Sequence, residues 1–321
     1  MQIRPIAERT SPLTAKKVAQ ASVPPKRRTR IQWSYHLMLF PGLLFLIAFS
    51  YLPMAGITIA FKEYIPALGF FKSPWVGLAN FKVMLVLPEI AQVFINTVSI
   101  SSSEIVLLIL LPVIIALMLN EVRKQWYKRT VQTIIYMPHF ISWVILAGMI
   151  LNLFALHGMV NNFLAAFGVK PINFMASNVW FRPIVVSSFV WTQMGFDTIV
   201  YLAALTAINP SLYEAAALDG ANRWKQMIHV TIPGIMPTVV LLSALSLGNL
   251  LNANFEQVFL MYNPLVYPTG DIIQTWVYRT GLVNANFSLA TAVGLLQSVI
   301  GFILIVISYR LAYKFANYRI F

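Results

Sequence analysis

The sequence contains no cysteine, which excludes a disulfide-stapled scaffold, a thiolate zinc site and a cysteine nucleophile together. Charge is almost as scarce. Asp, Glu, Lys and Arg make up 10% of the 321 residues, against 59% hydrophobic ones, whereas soluble domains carry about 25% charged residues. That balance belongs to a polytopic membrane protein. No glycine is followed by lysine anywhere in the chain, so no G-x-x-x-x-G-K-[ST] loop exists to cradle nucleotide phosphates. The four histidines, His36, His139, His157 and His229, show no ligand spacing, and no metal site is legible. Internal repeats and low-complexity segments are absent as well.

What the chain does have is long apolar runs. Six are expected to span a membrane, from about His36 to Phe61 and then roughly at 91–119, 130–156, 181–208, 231–260 and 287–312, each long enough for about 30 Å of hydrocarbon. The first follows a basic segment, as in a secretory signal peptide. It is too long for one, however, and no small-x-small cleavage site follows, so it reads as an uncleaved span. Residues 1–34 carry Pro5, Pro12, Pro24, Pro25 and the cluster Lys26-Arg27-Arg28-Thr29-Arg30 with few large hydrophobes, and are expected to form a disordered basic arm ahead of a six-helix domain at 35–321.

The net charge of +13 suggests nucleic acid at first sight, but its distribution argues for orientation instead. Apart from Lys62, Lys72, Lys82, Lys170, Arg182 and Arg279, every Lys and Arg lies in the arm, the 120–130 loop, the loop between the fourth and fifth runs, or the C-terminus. The positive-inside rule places both termini and those loops in the cytoplasm. The opposite loops, 62–90, 157–180 and 261–286, are rich in Pro, Gly, Asn and aromatics and read either as ordered caps that contact an external partner or as plain connections.

Between the fourth and fifth runs lies the one polar, helix-competent stretch, 209–233. Asn209 can cap a helix and Pro210 fits its first position. Asp219-Gly220 ends that helix, with Gly220 able to take the left-handed conformation. Residues 221–229 can form a second short helix before Pro233 opens the next run. This is a helix-turn-helix lying on the membrane surface, and Glu214, near the first helix's N-terminus, is favoured there by the helix dipole.

Polar groups inside spans are costly against lipid and turn inward. In the fifth run Asn249, Asn252 and Glu256 fall at helical spacing on one face, in the fourth Gln193, Asp197 and Tyr201 do the same, and Gln297 lies in the sixth. They line a substrate pathway or act as hydrogen-bonding glue between helices; amides beside aromatics suit sugar hydroxyls and pyranose faces. The row Ala290, Gly294 and Ser298 reads as helix packing. His139, after Pro138, reads as a polar group at a helix kink.

Glu214-Ala215-Ala216, then three residues, Gly220, then nine residues and Val230-Thr231-Ile232-Pro233 resembles the E-A-A loop of importer permeases of the ATP-binding-cassette class. Phe61-Lys62-Glu63-Tyr64-Ile65-Pro66, Trp75-Val76-Gly77-Leu78-Ala79-Asn80-Phe81, Met137-Pro138-His139-Phe140-Ile141-Ser142-Trp143 and Ala203-Ala204-Leu205 are similar to the carbohydrate-importing permeases, most of all to the subgroup that imports oligo- and polysaccharides, acidic alginate-like chains among them. The resemblance covers about residues 31–321. It implies an all-α fold of six transmembrane helices with a cytoplasmic coupling helix, the type I importer permease fold. It also implies a second, non-identical permease, two cytoplasmic ATPase subunits that bind ATP and Mg in place of any cofactor in this chain, and an external solute-binding protein. Leu212, Tyr213, Glu214, Ala215, Ala216, Leu218, Asp219, Gly220 and Arg223 would then couple to an ATPase, with Glu214 facing a basic residue there; Arg223 and Lys225 pair with ATPase carboxylates or face lipid headgroups. Two other classes compete. An ion-coupled secondary transporter would use Asp197 or Glu256 as proton carrier, and a membrane-embedded enzyme would need a carboxylate pair. The docking loop favours the first class, since neither of the others needs one.

Overall fold

The computed structural model describes residues 33–316; the basic arm, up to residue 32, lies outside the described residues. Among those described, no strand forms. One isolated antiparallel bridge joins Lys62 and Trp75, and the rest is helix and connecting turn.

The chain divides into two compact units, Met1–Ala55 and Gly56–Phe321. In the first, an α-helix covers Trp33–Leu46 and continues as a π-turn over Ile47–Tyr51. A 3₁₀ run, Leu52–Phe61, carries the chain onward. Leu37–Phe61 is long and apolar enough to cross a membrane, as expected for the first run. Its large side chains, such as Leu37, Met38 and Phe49, are exposed in the chain as it stands.

The second unit is built on two helices packed along each other, Pro88–Glu121 and Phe181–Thr206. Their patterning inverts that of a soluble protein. Helix 88–121 exposes Ile95, Val98, Val106, Leu110, Ile114 and Met118, while Asn96, Thr97, Ser101 and Glu104 are buried. The apolar stripe is what lipid accepts, and the polar one is what lipid would penalise. Helix 181–206 is equally able to cross by length, but it carries Gln193 and Asp197 and is less apolar than Pro88–Glu121, Arg223–Leu247 and Phe287–Leu311, which meet the standard of length and apolarity for a span. Phe181, Ile184, Val185 and Val190 pack against Ile100, Ala147, Ile150, Val258 and Ile272 in the main apolar cluster.

Two of the expected spans differ from the sequence reading. The run at 130–156 is not a straight helix: Gln125–Phe140 and Trp143–Leu153 meet at 100°. Pro138 sits in the 3₁₀ turn Met137–Phe140 at the break, where a residue without an N–H and with fixed φ ends the regular ladder. The run at 231–260 ends as a helix at Leu247. Its apolar composition continues, but Gly248-Asn249 and Asn252-Ala253-Asn254 form turn and coil, and a separate helix, Phe255–Met261, starts from the side-chain cap of Asn254.

The loops read as ordered caps are ordered. Phe61 stacks on Trp75 and packs on Phe81, with centroids 5.9 and 5.3 Å apart. Asn80 donates to the carbonyls of Ala60 and Lys62 at 2.9 and 3.0 Å. In the 261–286 segment, Arg279 pairs with Asp271 and lies 4.2 Å from the Tyr267 ring centre. Burial alone would lower its basicity, but the Asp271 hydrogen bond and charge outweigh that and hold the guanidinium above its ordinary range. Arg182, at the start of its helix, donates to Asn96 Oδ1 at 2.8 Å and Ser99 Oγ at 3.0 Å, which ties the two central helices together at this end.

Candidate functional site

Two sites emerge, one on the surface and one inside. The surface site is the 209–233 stretch. Helix Pro210–Leu218 is capped by Asn209, whose side chain accepts from the Ser211 amide at 3.0 Å, with Pro210 at the first position. It ends at Asp219, and Gly220 has φ +76°. The Gly220 and Ala221 amides return to the carbonyls of Ala217 and Ala216 at 3.1 and 2.9 Å, a Schellman closure that satisfies the orphan carbonyls of the last turn. Asn222 then caps Arg223–Gln226, accepting from Lys225 N at 2.9 Å, and the chain runs through a π-turn, Met227–Thr231, into helix Ile232–Leu247.

This loop is braced from beneath. Tyr213 is half-buried, with its hydroxyl 3.0 Å from Thr231 Oγ1, so it anchors the first helix and is not a free apolar contact. Leu212, Glu214, Ala215, Asp219, Gly220 and Arg223 are exposed, Ala216 is half-buried and Leu218 is 90% exposed. Leu218 thus projects from a helix capped at both ends. Glu214 stands in the second turn and no acidic residue lies in the first, so the dipole advantage expected for it, confined to the first turn, is not what places it there. Arg223 and Trp224 border an apolar hollow of about 640 Å³ with Met118 and Met227.

The inner site is a cavity of about 230 Å³. Helix 88–121 contributes Ser101 and Glu104, helix 181–206 Asp197 and Tyr201, and the turn beyond Leu247 contributes Asn249 and Asn252. Four of the seven pathway candidates therefore meet in one place. They do so from three segments, and not through the single-helix row expected of Asn249, Asn252 and Glu256. Glu256 is exposed in the first turn of helix 255–261, away from the cavity. Gln193 lies elsewhere, 3.0 Å from His139 Nδ1, while the His139 ring stacks on Phe196 at 4.2 Å; both belong to the packing of the kink. Gln297 stands behind the cavity, donating to the Leu251 carbonyl at 2.8 Å and Asn252 Oδ1 at 3.2 Å, and so holds Asn252 in position. In the small-residue row only Ala290 is buried in packing; Ser298 is exposed and Gly294 has open space about it.

Two residues escaped the sequence reading. Gln257 is fully buried and donates to Val185 O and Ser188 Oγ, each at 2.8 Å, joining helix 255–261 to helix 181–206. Glu104 is 5% exposed and lines the cavity. Among the described residues its Oε1 and the hydroxyl of Ser101, one turn away, have no hydrogen-bond partner. A buried polar group so left costs about 1–3 kcal/mol, more for a charged one. The run Ser101-Ser102-Ser103-Glu104 inside an apolar stretch was the available signal.

Helices long and apolar enough to cross a membrane, around an internal cavity lined by polar and apolar side chains, and a surface helix-turn-helix fit a transport subunit. The family model described as "Binding-protein-dependent transport system inner membrane component" matches residues 108–320, and the chain belongs to that family. Its fold is the type I permease fold. The chain is similar to Protein LplB of Bacillus subtilis (strain 168), at 43% identity over 91% of this chain and 92% of that one. It is also similar to the polygalacturonan/rhamnogalacturonan transport system permease protein YteP of the same organism, at 41% identity over 91% of each. Among solved structures it resembles a chain of a bacterial ABC transporter involved in the import of the acidic polysaccharide alginate. That match has 37% identity and a TM-score of 0.82, covering 88% of this chain and 96% of that one. A second structure, with equal identity and TM-score over 89% of this chain and 96% of its own, is a bacterial alginate ABC transporter in complex with an alginate pentasaccharide-bound periplasmic protein.

Proposed function

We propose that this chain is the permease subunit of an ATP-driven importer of oligo- or polysaccharide, acidic alginate-like chains included. It is a multi-pass protein of the inner membrane with both termini and the 209–233 loop on the cytoplasmic side. A second, non-identical permease completes the pathway. Two ATPase subunits bind ATP and Mg, one of them docking on this loop, and an external solute-binding protein delivers the saccharide to the opposite face. Leu212, Glu214, Ala215, Ala216, Leu218, Asp219, Gly220 and Arg223 form the docking surface, with Tyr213 as its brace. Asp197, Tyr201, Asn249 and Asn252 belong to the pathway.

The observation that carries this reading is the loop: an exposed, doubly capped helix ending in left-handed Gly220, in a chain with no phosphate-binding loop of its own. Ion-coupled transport finds little support, since Glu256, one of its two proton-carrier candidates, is exposed outside any span. The test is the ATPase activity of the purified assembly. It should rise when binding protein loaded with oligosaccharide is added and stay at its basal level with the empty binding protein. An assembly whose hydrolysis ignores the loaded binding protein would refute the reading.

A further inference from the structure

We propose that Glu104, with Ser101 beside it, is a saccharide subsite that recognises the hydroxyl edge of a pyranose ring within this subunit's share of the pathway. The inference rests on the transport reading above and deepens it.

Three observations converge. Glu104 is 95% removed from solvent, since its exposure is 5%, yet it lines the cavity and its Oε1 is unpartnered. Ser101 Oγ is in the same condition at 3% exposure, one helical turn away on the same face. Asp197, Tyr201, Asn249 and Asn252 line the same cavity, and among the described residues no Lys, Arg or His does. Buried polar atoms normally have partners, and an unpartnered carboxyl oxygen and hydroxyl on two residues that line a cavity mark a place where a ligand completes the bonding once the side chains turn toward it.

The chemistry of that ligand follows from the wall. A carboxyl side chain accepts hydrogen bonds when ionised, and both donates and accepts when protonated. A sugar hydroxyl donates and accepts, so it matches Glu104 in either state and Ser101 as well. A uronate carboxylate only accepts, and here it would meet the carboxyl groups of Glu104 and Asp197 with no Lys or Arg among the described lining residues. This wall therefore suits hydroxyls better than carboxylates.

The experiment compares wild type, E104Q and E104L in the complete assembly in liposomes, measuring uptake of a neutral and of a uronate oligosaccharide together with the melting temperature of each purified assembly. Replacing Glu104 with leucine removes an unpartnered buried polar group at similar volume, so E104L should melt higher than wild type while its uptake falls about tenfold or more. E104Q keeps both hydrogen-bonding functions and should recover a substantial part of that uptake. The opposite movement of stability and transport is what a packing role does not produce. Wild-type uptake in E104L, failure of E104L to assemble, or a loss of stability alongside transport would each overturn the proposal. A wild-type assembly that moves no saccharide would instead bring down the transport reading on which it rests.

Discussion

Glu214 and Gly220 divide the work of the surface loop between charge and shape. Glu214 is exposed and contributes nothing visible to its own helix, whereas Gly220 holds a φ of +76° that closes the Schellman turn. Valine at 220 would place a β-branched side chain in the left-handed region, a genuine outlier, and a left-handed L-residue costs roughly 1–2 kcal/mol. Gly220→Val should therefore disturb the loop itself, while Glu214→Ala should leave the loop folded and weaken ATPase docking about tenfold or more by removing a charge-assisted bond. Co-purification of the ATPase subunits with each variant measures both, and wild-type recovery in both would mean the loop is only a connector. The caps of this stretch were legible because each depends on one residue and its neighbours: Asn209, Pro210 and Gly220 act within a turn. Glu104 was missed although a carboxylate in an apolar run should turn inward; what the run does not show is the helix 181–206 with which it shares the cavity.

Elements explain the larger departures. The apolar run at 231–260 looked continuous because hydropathy does not distinguish helix from buried coil. The helix nevertheless stops at Leu247, and Asn254 starts another. Asn249 and Asn252 line one cavity because a turn places them there, and not through the helical spacing that grouped them with Glu256. The kink at Pro138 was visible, but its 100° angle depends on tertiary contact. Gly195 shows that contact: a Cβ there would run into the carbonyl and side chain of Ile135, on the segment just before the kink, whereas one at Gly148 meets nothing within 4 Å. Both glycines sit in helices, where alanine is intrinsically better by about 0.5–1 kcal/mol. Gly148→Ala should thus raise the melting temperature slightly, and Gly195→Ala should lower it, with overpacking costing typically about 1–3 kcal/mol. Thermal unfolding of the two purified variants checks the sign; equal shifts would remove the close packing of helices 125–136 and 181–206 from the account.

At the scale of the whole molecule, composition was enough to read a helical membrane protein, because 59% hydrophobic and 10% charged residues leave few alternatives, whereas the type I permease fold was read from the resemblance of the 209–233 loop and its accompanying motifs. The course of the spans was less accessible: Pro138 breaks one apolar run, another stops being helix at Leu247, and helix 181–206, though expected, is made more polar by the groups it turns toward the cavity. The same polarity gives the protein its function in this account: an internal polar wall for cargo, an apolar exterior for lipid, and a surface loop through which hydrolysis elsewhere is transmitted. The central claim is that this chain transports only as part of an ATP-driven assembly. Uptake of labelled oligosaccharide into liposomes tests it most directly, with this chain alone under a proton gradient compared with the complete assembly, binding protein and ATP. The account predicts uptake only in the second case and its loss when ATP is withheld; gradient-driven uptake by the isolated chain would contradict it.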